Sequence, residues 1–273
     1  MAHFTLSAFG DEIADDFEEQ LKLLKELELG LDIRKAWGIH IQKLTDVQIQ
    51  QVKQLCADYG IKVHCLGSWI GKTPITDPLD AEIANLERLF VVGEMLDVRD
   101  IRLFSFYPPE GATAYDDYVQ EATARLQTLT EKAAQAGFQL LLENEKHIVG
   151  DTPERCHKIA STINHPNLRL IWDPANYVQV GVMHQVERYW DLLNPYTTYI
   201  HIKDAFLNDG AVCAAGEGDG QVINLLSRLK AKGYEGILSL EPHLVEFGRN
   251  SGFSGPDGMI YATKALHSLL EQL

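Results

Sequence analysis

The segment Leu168-Arg-Leu-Ile-Trp-Asp173-Pro174-Ala-Asn176 is a short apolar run that stops at a carboxylate followed by proline. Proline disfavours helical backbone at the residue before it, so Asp173 finishes an extended strand and does not open a helix. Three nearby segments share this form. Phe138-Gln-Leu-Leu-Leu-Glu143 ends in a glutamate, and Ile237-Leu-Ser-Leu-Glu241-Pro242-His243 ends in another. Tyr199-Ile-His201-Ile-Lys203-Asp204 sets a histidine inside an apolar run.

Working outward, further runs rich in Ile, Leu, Val and aromatics predict strands at 4–9, 29–34, 62–67 and 101–106. They precede those at 139–143, 168–173, 198–203 and 237–241. Buried parallel strands have this composition. Their starts lie 25 to 39 residues apart, the chain needed for a strand, a crossover helix and two loops. The intervening segments read as helices. Phe17, Leu21 and Leu24 share one helical face, Thr45 with Gln48 forms a capping box ahead of 47–56, and Thr152-Pro153-Glu154 is a helix start. Ile83, Leu86, Phe90 and the Ala-rich stretch 122–136 add further faces. Eight such beats without a linker predict a single-domain (β/α)₈ TIM barrel over residues 1–273.

Composition narrows the function. The 273 residues carry a formal net charge of −15, and their lysines and arginines are scattered singly or in pairs. That field repels a polyanion, so a nucleic-acid partner is not expected; a neutral polyol or a cation suits it better. Cys56, Cys65, Cys156 and Cys213 form no C-x-x-C pair and are expected to be buried free thiols. The N-terminal residues resemble no signal peptide, and no apolar stretch is long enough to span a membrane, so we expect a cytoplasmic protein.

In such a barrel, reactive groups stand at the C-terminal ends of strands. Glu143, Asp173, His201 and Glu241 come from four consecutive strands and converge on one mouth. Three carboxylates confined together repel unless a cation neutralises them. With a divalent ion they make an O,O,O,N site that suits Mn²⁺, with Mg²⁺, Co²⁺ and Zn²⁺ as alternatives. Arg34 and Lys72, ending the second and third strands, are candidates for holding a substrate carboxylate or phosphate, or for structural salt bridges such as Arg34 with Asp32. Trp37, Trp69 and Phe106 are candidates for an apolar wall or for packing, and His64 is expected to pack. Gly216-Glu217-Gly-Asp-Gly220 lacks dinucleotide-fingerprint spacing and is read as a loop over the mouth, with Glu217 near the cation's surroundings.

The strings Leu-Leu-Glu143-Asn-Glu, Trp-Asp173-Pro-Ala-Asn176, Ile-His201-Ile-Lys-Asp204 and Leu-Glu241-Pro-His243 resemble the xylose isomerase-like TIM-barrel superfamily. The likeness is greatest to its sugar isomerase/epimerase branch. Phe9-Gly-Asp-Glu12, Asp32-Ile-Arg34 with Trp37-Gly38, and Cys65-Leu-Gly-Ser-Trp-Ile-Gly-Lys72 are similar to its first three strand ends, so the likeness runs along essentially the whole chain. In tagatose 3-epimerase-like members the four matching residues bind one metal, and the two glutamates move the proton. The resemblance therefore implies that Glu143 and Glu241 are catalytic. A polarised carbonyl acidifies the neighbouring C–H, one glutamate removes that proton to give a metal-stabilised enediolate, and the other returns one from the opposite face. Asn176, Lys203 and His243 join Arg34, Lys72 and Glu217 as expected substrate contacts.

Two departures bear on the substrate. The epimerases carry a histidine where this chain has Asn176, and an arginine beyond the seventh strand that 201–210 lacks; Lys203 is placed to take part of its role. A dehydratase of an inosose-like polyol on the same scaffold is the first alternative. Apurinic-site cleavage is disfavoured by the acidic charge and by too few histidines for a trinuclear zinc cluster. A sugar-binding barrel without turnover is disfavoured by the paired glutamates. Homo-oligomers are common among such barrels, and the sequence leaves a homo-oligomer open here.

Overall fold

A computed structural model describes residues 2–244 and 253–273. Eight parallel strands close into a barrel, each paired with its neighbours in chain order, the eighth returning to the first. They are β1 His3–Phe9, β2 Gly30–Ile33, β3 Val63–Gly67, β4 Asp100–Leu103, β5 Gln139–Glu143, β6 Leu168–Trp172, β7 Thr197–Ile202 and β8 Glu235–Leu240. The surrounding helices are α1 Phe17–Glu26, α2 Asp46–Tyr59, α3 Asp80–Leu96, α4 Val119–Gln135, α5 Pro153–Ile163, α6 Pro174–Gln179, α7 Gln185–Leu193, α8 Val222–Lys232 and α9 Gly255–Glu271. This is a single-domain TIM barrel. No helix among the described residues is long and apolar enough to cross a membrane.

Local signals account for the helix starts. Thr45 caps α2 in a full capping box with Gln48, and Gly60 ends it in the left-handed region. Thr152 caps α5 with Pro153 in its first turn. Phe17, Leu21 and Leu24 of α1 are wholly buried against the barrel. All four cysteines are free and buried.

Strand parity divides the core. Leu140, Leu142, Leu170, Ile200, Leu238 and Leu240 face the helices in one large cluster, whereas Cys65, Leu141, Ile171 and Tyr199, with Ile237, fill the barrel's interior. Successive strand residues point to opposite faces. Inward parity two residues further along therefore falls on Glu143, Asp173 and His201, and four residues beyond Ile237 it falls on Glu241. The apolar interior layer is the floor beneath them.

The fourth strand is shorter than its apolar run suggests, ending at Leu103 rather than at residue 106. Beyond it the chain leaves the barrel neighbour and pairs with the loop after β3. Phe104 N donates to Ile70 O and Phe106 N to Gly71 O, each at 2.8 Å. Gly71 makes this approach feasible, since it sits at φ +80° and a Cβ there would lie 2.0 Å from Phe104 O.

Lower in the barrel, Asp32 accepts hydrogen bonds from Ser7 Oγ (2.7 Å) and from Tyr199 OH (2.7 and 2.8 Å). Burial, with the neighbouring charge of Asp32, pushes the Asp100 carboxyl up to about 6. A carboxyl raised in the folded state is favoured while protonated, so its contribution is full below the ordinary carboxylate range and is lost as pH rises through about 6. Asp100→Asn is therefore expected to stabilise the fold by roughly 1 kcal/mol at pH 7.5 and by much less at pH 4, the partial solvent contact of Asp100 limiting the gain. Thermal denaturation of both proteins at the two pH values measures this; a pH-independent difference would exclude it.

Candidate active site

Register brings the four strand-end groups to one level. Trp172 pairs with Ile200, and Ser239 with His201, so Asp173, His201 and Glu241 follow at adjoining steps around the mouth. Each of Glu143, Asp173, His201 and Glu241 is at most 3% exposed, and one donor atom from each lies within 4.8 Å of the others. His201 Nδ1 is 3.0 Å from Glu143 Oε1, 3.8 Å from Glu241 Oε2 and 4.0 Å from Asp173 Oδ2.

Asp173 divides its two oxygens between structure and site. Oδ1 caps α6 by accepting from Asn176 N at 2.9 Å, with Pro174 at the start of that helix. Oδ2 is buried and accepts no hydrogen bond of ordinary geometry, although Lys203 Nζ stands 2.8 Å away. Asn144 fixes the same corner, donating to Asp173 O and accepting from Asp173 N, both at 2.9 Å. Asn176 Nδ2 donates to Asn144 O at 2.9 Å and reaches Glu143 Oε1 at 3.5 Å.

Three buried cations surround these acids. Arg34 reaches Asp11 through Nε (2.7 Å), Glu12 through Nη2 (3.2 Å) and Glu241 through Nη1 (2.6 Å). Its partners are thus the acids after β1 and β8, and Asp32 is instead taken by Ser7 and Tyr199. Arg102 Nη1 links Glu143 Oε2 (3.1 Å) to Glu241 Oε1 (3.3 Å). Lys203 Nζ adds Glu241 Oε2 at 3.3 Å to its contact with Asp173. His243 bridges Glu12 (3.0 Å) and Glu241 (3.6 Å) at the rim. The Phe9 ring forms the floor, with Arg34 and Arg102 over it at 4.7 and 4.8 Å and the His201 ring edge-on at 5.3 Å. Gly67 leaves room for that ring, since a Cβ there would come within 2.9 Å of it.

Charge sets the protonation states. Burial pushes Glu143 up, but His201 and Arg102 outweigh it and hold the carboxyl at about 2. Burial likewise opposes the charge on Glu241, yet Lys203, His243 and Arg34 hold it well below the carboxylate range. Asp173 differs. Burial and the nearby Glu143 and Glu241 outweigh Lys203 and lift it to about 6. Burial lowers His201, and the Glu143 carboxylate more than restores it, leaving the imidazole above its ordinary value.

The donor set fits a divalent cation. Three carboxylates and an imidazole converge, Asp173 Oδ2 lacks a hydrogen bond, and His201 Nδ1 faces all three acids. A cation would neutralise the surplus charge that lifts Asp173.

Of the residues expected from sequence, Glu143, Asp173, His201, Glu241, Arg34, Asn176, Lys203 and His243 gather here. Lys72 stands further out, paired with Glu145 at 2.9 Å and over the Phe104 ring at 4.2 Å. Glu217 is exposed, accepting from Tyr261 of α9 and from Ala214 N. Phe106 is fully buried and Trp37 packs on Phe17 at 5.3 Å, so of the three aromatics Trp69 offers the open face. A Cβ on Gly30 would strike the His64 ring, which therefore packs beside β2. Sequence reasoning missed Arg102, Asp11, Glu12 and Phe9 as site residues. Arg102 carried the same signal as His201, a polar residue alternating with apolar ones inside a strand.

Comparison with known proteins agrees with this fold. A family model described as "Xylose isomerase-like TIM barrel" matches residues 16–260. A curated relative, an uncharacterised protein of Methanocaldococcus jannaschii, is 26% identical over 168 residues, 54% of this chain; the chain spans about half (51%) of that relative's length. Among solved structures, the IOLI protein with a bound zinc atom superposes with TM-score 0.80 at 16% identity, covering 98% of this chain and 99% of its own. A D-tagatose 3-epimerase-like protein gives 0.77 at 17%, covering 98% and 97%. The probable 3-DHS dehydratase AsbF of Bacillus anthracis gives 0.75 at 18%, covering 98% and 99%. At these identities the structural likenesses establish the fold alone. With a family model matching nearly its whole length, this chain belongs to the xylose isomerase-like TIM barrel family.

Proposed function

We propose that the protein is a divalent-cation-dependent sugar or sugar-phosphate isomerase/epimerase. The observation carrying this reading is the pairing of Glu143 and Glu241, both ionised, on opposite flanks of the His201–Asp173 corner and linked by one Arg102 nitrogen. A cation held by Glu143, Asp173, His201 and Glu241, with Mn²⁺ the best suited, would supply Lewis-acid polarisation of a substrate carbonyl. The remaining work falls to the chain. Glu143 or Glu241, in the base form, removes the proton from the carbon beside the carbonyl. The other glutamate, once it has taken up a proton from solvent or from a substrate hydroxyl, delivers it to the opposite face, giving epimerisation, or to the adjacent carbon while the hydroxyl proton passes to the former carbonyl oxygen, giving aldose–ketose exchange. Lys203, Arg34 and Arg102 stabilise the negative charge that develops on the substrate oxygens. Asn176 and His243 orient hydroxyls from two sides, and Lys72 and Glu217 belong to the outer surroundings of the mouth.

One observation favours a second reading. Lys203 Nζ touches both Asp173 and Glu241, so an ammonium stands beside the proton-transfer pair. It could protonate a departing hydroxyl, which would make the reaction a dehydration, as the likeness to a probable dehydratase suggests. The small-molecule substrate is common to both readings. The acidic surface argues against nucleic acid, and residence in the cytoplasm and homo-oligomerisation remain part of the proposal.

Two measurements test it. In protein stripped with a chelator, added Mn²⁺ is expected to raise the melting temperature, with about 2.7 kcal/mol of stabilisation at a hundredfold excess over Kd. His201→Ala should abolish the rise, and an unchanged melting temperature in the wild type would reject the cation site. In a screen of ketoses and their phosphates with Mn²⁺, Glu143→Gln and Glu241→Gln should each lose exchange of the substrate's α-hydrogen with solvent deuterium, by a factor of roughly 10²–10⁴. Wild-type exchange in both variants would eliminate the mechanism, and loss of water from the product would select the dehydratase.

A further inference from the structure

The oxygens of the clustered acids are divided between two kinds of partner. Arg34 Nη1 and Arg102 Nη1 hold Glu241 by Oε1, and Arg102 holds Glu143 by Oε2. The remaining oxygens face His201 Nδ1: Glu143 Oε1 at 3.0 Å, Glu241 Oε2 at 3.8 Å and Asp173 Oδ2 at 4.0 Å. The guanidinium groups thus grip the glutamates from behind and leave the converging oxygens alone.

Lys203 breaks this division. Its Nζ stands 2.8 Å from Asp173 Oδ2 and 3.3 Å from Glu241 Oε2, both of which are oxygens turned toward His201. An ammonium has no lone pair, so it cannot join a coordination shell. It competes with a divalent cation for those oxygens and repels it. The repulsion is strong, because Lys203, Asp173 and Glu241 are each at most 4% exposed and little water screens them.

The hold on Lys203 is of a kind that can be released. Its bond to Glu241 Oε2, at 3.3 Å, is long for a charge-assisted hydrogen bond, and it meets Asp173 Oδ2 without hydrogen-bond geometry. The four-carbon stem is flexible, whereas the backbone at its root is pinned by the amides of Gly216, Gly218 and Gly220 on Asp204. Rotation of the side chain alone therefore moves the charge. A further acid awaits it, since half-buried Glu145 lies near enough to reinforce the charge on Lys203.

We infer that Lys203 is an internal counter-ion that controls loading of the cation site. Its ammonium neutralises Asp173 and Glu241 until a divalent cation displaces it, and the freed side chain then swings toward the open side of the mouth, where substrate oxygens arrive. Cation loading and the presentation of Lys203 to substrate are thereby one event. Arg34 and Arg102 take no part in the exchange, because they hold the outward oxygens. This role for Lys203 rests on the cation site proposed above and concerns binding alone, so its test requires no turnover.

Mn²⁺ titration of the chelator-stripped full chain, read by the paramagnetic resonance of free Mn²⁺, compares the wild type with Lys203→Met. The variant is expected to bind Mn²⁺ about tenfold more tightly or better. In chelator it should melt below the wild type, because Asp173 and Glu241 lose a counter-charge, and saturating Mn²⁺ should close that gap. A second measurement uses the unaltered protein and so holds even if Lys203→Met does not fold. Labelling of Lys203 by an amine-reactive ester, mapped by mass spectrometry against exposed Lys22, should rise when Mn²⁺ is added. Equal or weaker Mn²⁺ binding by the variant would overturn the role, since losing a lysine that supports the cation lowers affinity. Labelling unchanged or reduced by Mn²⁺ would also overturn it, and either result leaves the cation site standing. No Mn²⁺ binding by either protein would instead reject the cation site and the role with it.

Discussion

Three carboxylates share one buried mouth, and the surrounding structure is organised around keeping them charged there. An isolated carboxylate taken out of water costs several kcal/mol even after relaxation, and a like charge nearby adds to that. Glu143, Asp173 and Glu241 meet this cost through Arg34, Arg102, Lys203 and His201, which reach them from three other strands or strand ends. Networks of this kind contribute little net stability, because well-packed apolar groups of the same volume serve a fold as well or better. Their presence at the strand ends, above an apolar interior layer, is therefore better explained by chemistry than by folding. Asp173 shows where the balance is incomplete: its carboxyl rises to about 6 while its neighbours stay ionised.

Much of this was legible in the sequence because parallel strands impose a period of two. Once the eight apolar runs are in register, polar residues that end them must point inward or outward, and Glu143, Asp173, His201 and Glu241 all have the inward parity. The same rule applied within the strands, rather than at their ends alone, selects Arg102 between Ile101 and Leu103. The fourth strand hid it, because Phe104 and Phe106 prolong the apolar run while their amides turn to Ile70 and Gly71. Asp11 and Glu12 were less accessible still. They lie in a short 3₁₀ turn after β1, where alternation no longer holds, and their role depends on Arg34, distant in sequence.

The glycine-rich segment after β7 illustrates a different limit. Its composition signals an irregular loop, and a loop near a barrel mouth reads naturally as a cover. In the fold, the amides of Gly216, Gly218 and Gly220 converge on the Asp204 carboxylate at 2.8–3.2 Å, joined by Ala205 N at 2.9 Å. Close approach is the reason for glycine here, since a Cβ on Gly218 or Gly220 would sit 2.6 Å from an Asp204 oxygen. The loop is thus a cradle for the residue next to Lys203. Anchoring Asp204 fixes the backbone from which the Lys203 ammonium projects, so this loop governs where the charge that pairs with Asp173 and Glu241 stands.

This rigidity bears on how the glutamates could exchange protons. A carboxylate gripped by guanidinium groups is ionised but weakly basic, and a good general base needs a pKa nearer that of the proton it takes. The grip must therefore loosen when substrate arrives. Arg34 and Arg102 each hold Glu241 Oε1, while Lys203 holds Oε2, so the oxygens of a bound polyol can compete for the same donors without moving the backbone. In the proposed reaction, those donors would turn toward the substrate and Glu241 would regain basicity at the moment the oxygens need stabilisation. On that proposal the charge arrangement that holds the glutamates ionised is also the one that would favour proton transfer, with the substrate itself as the trigger.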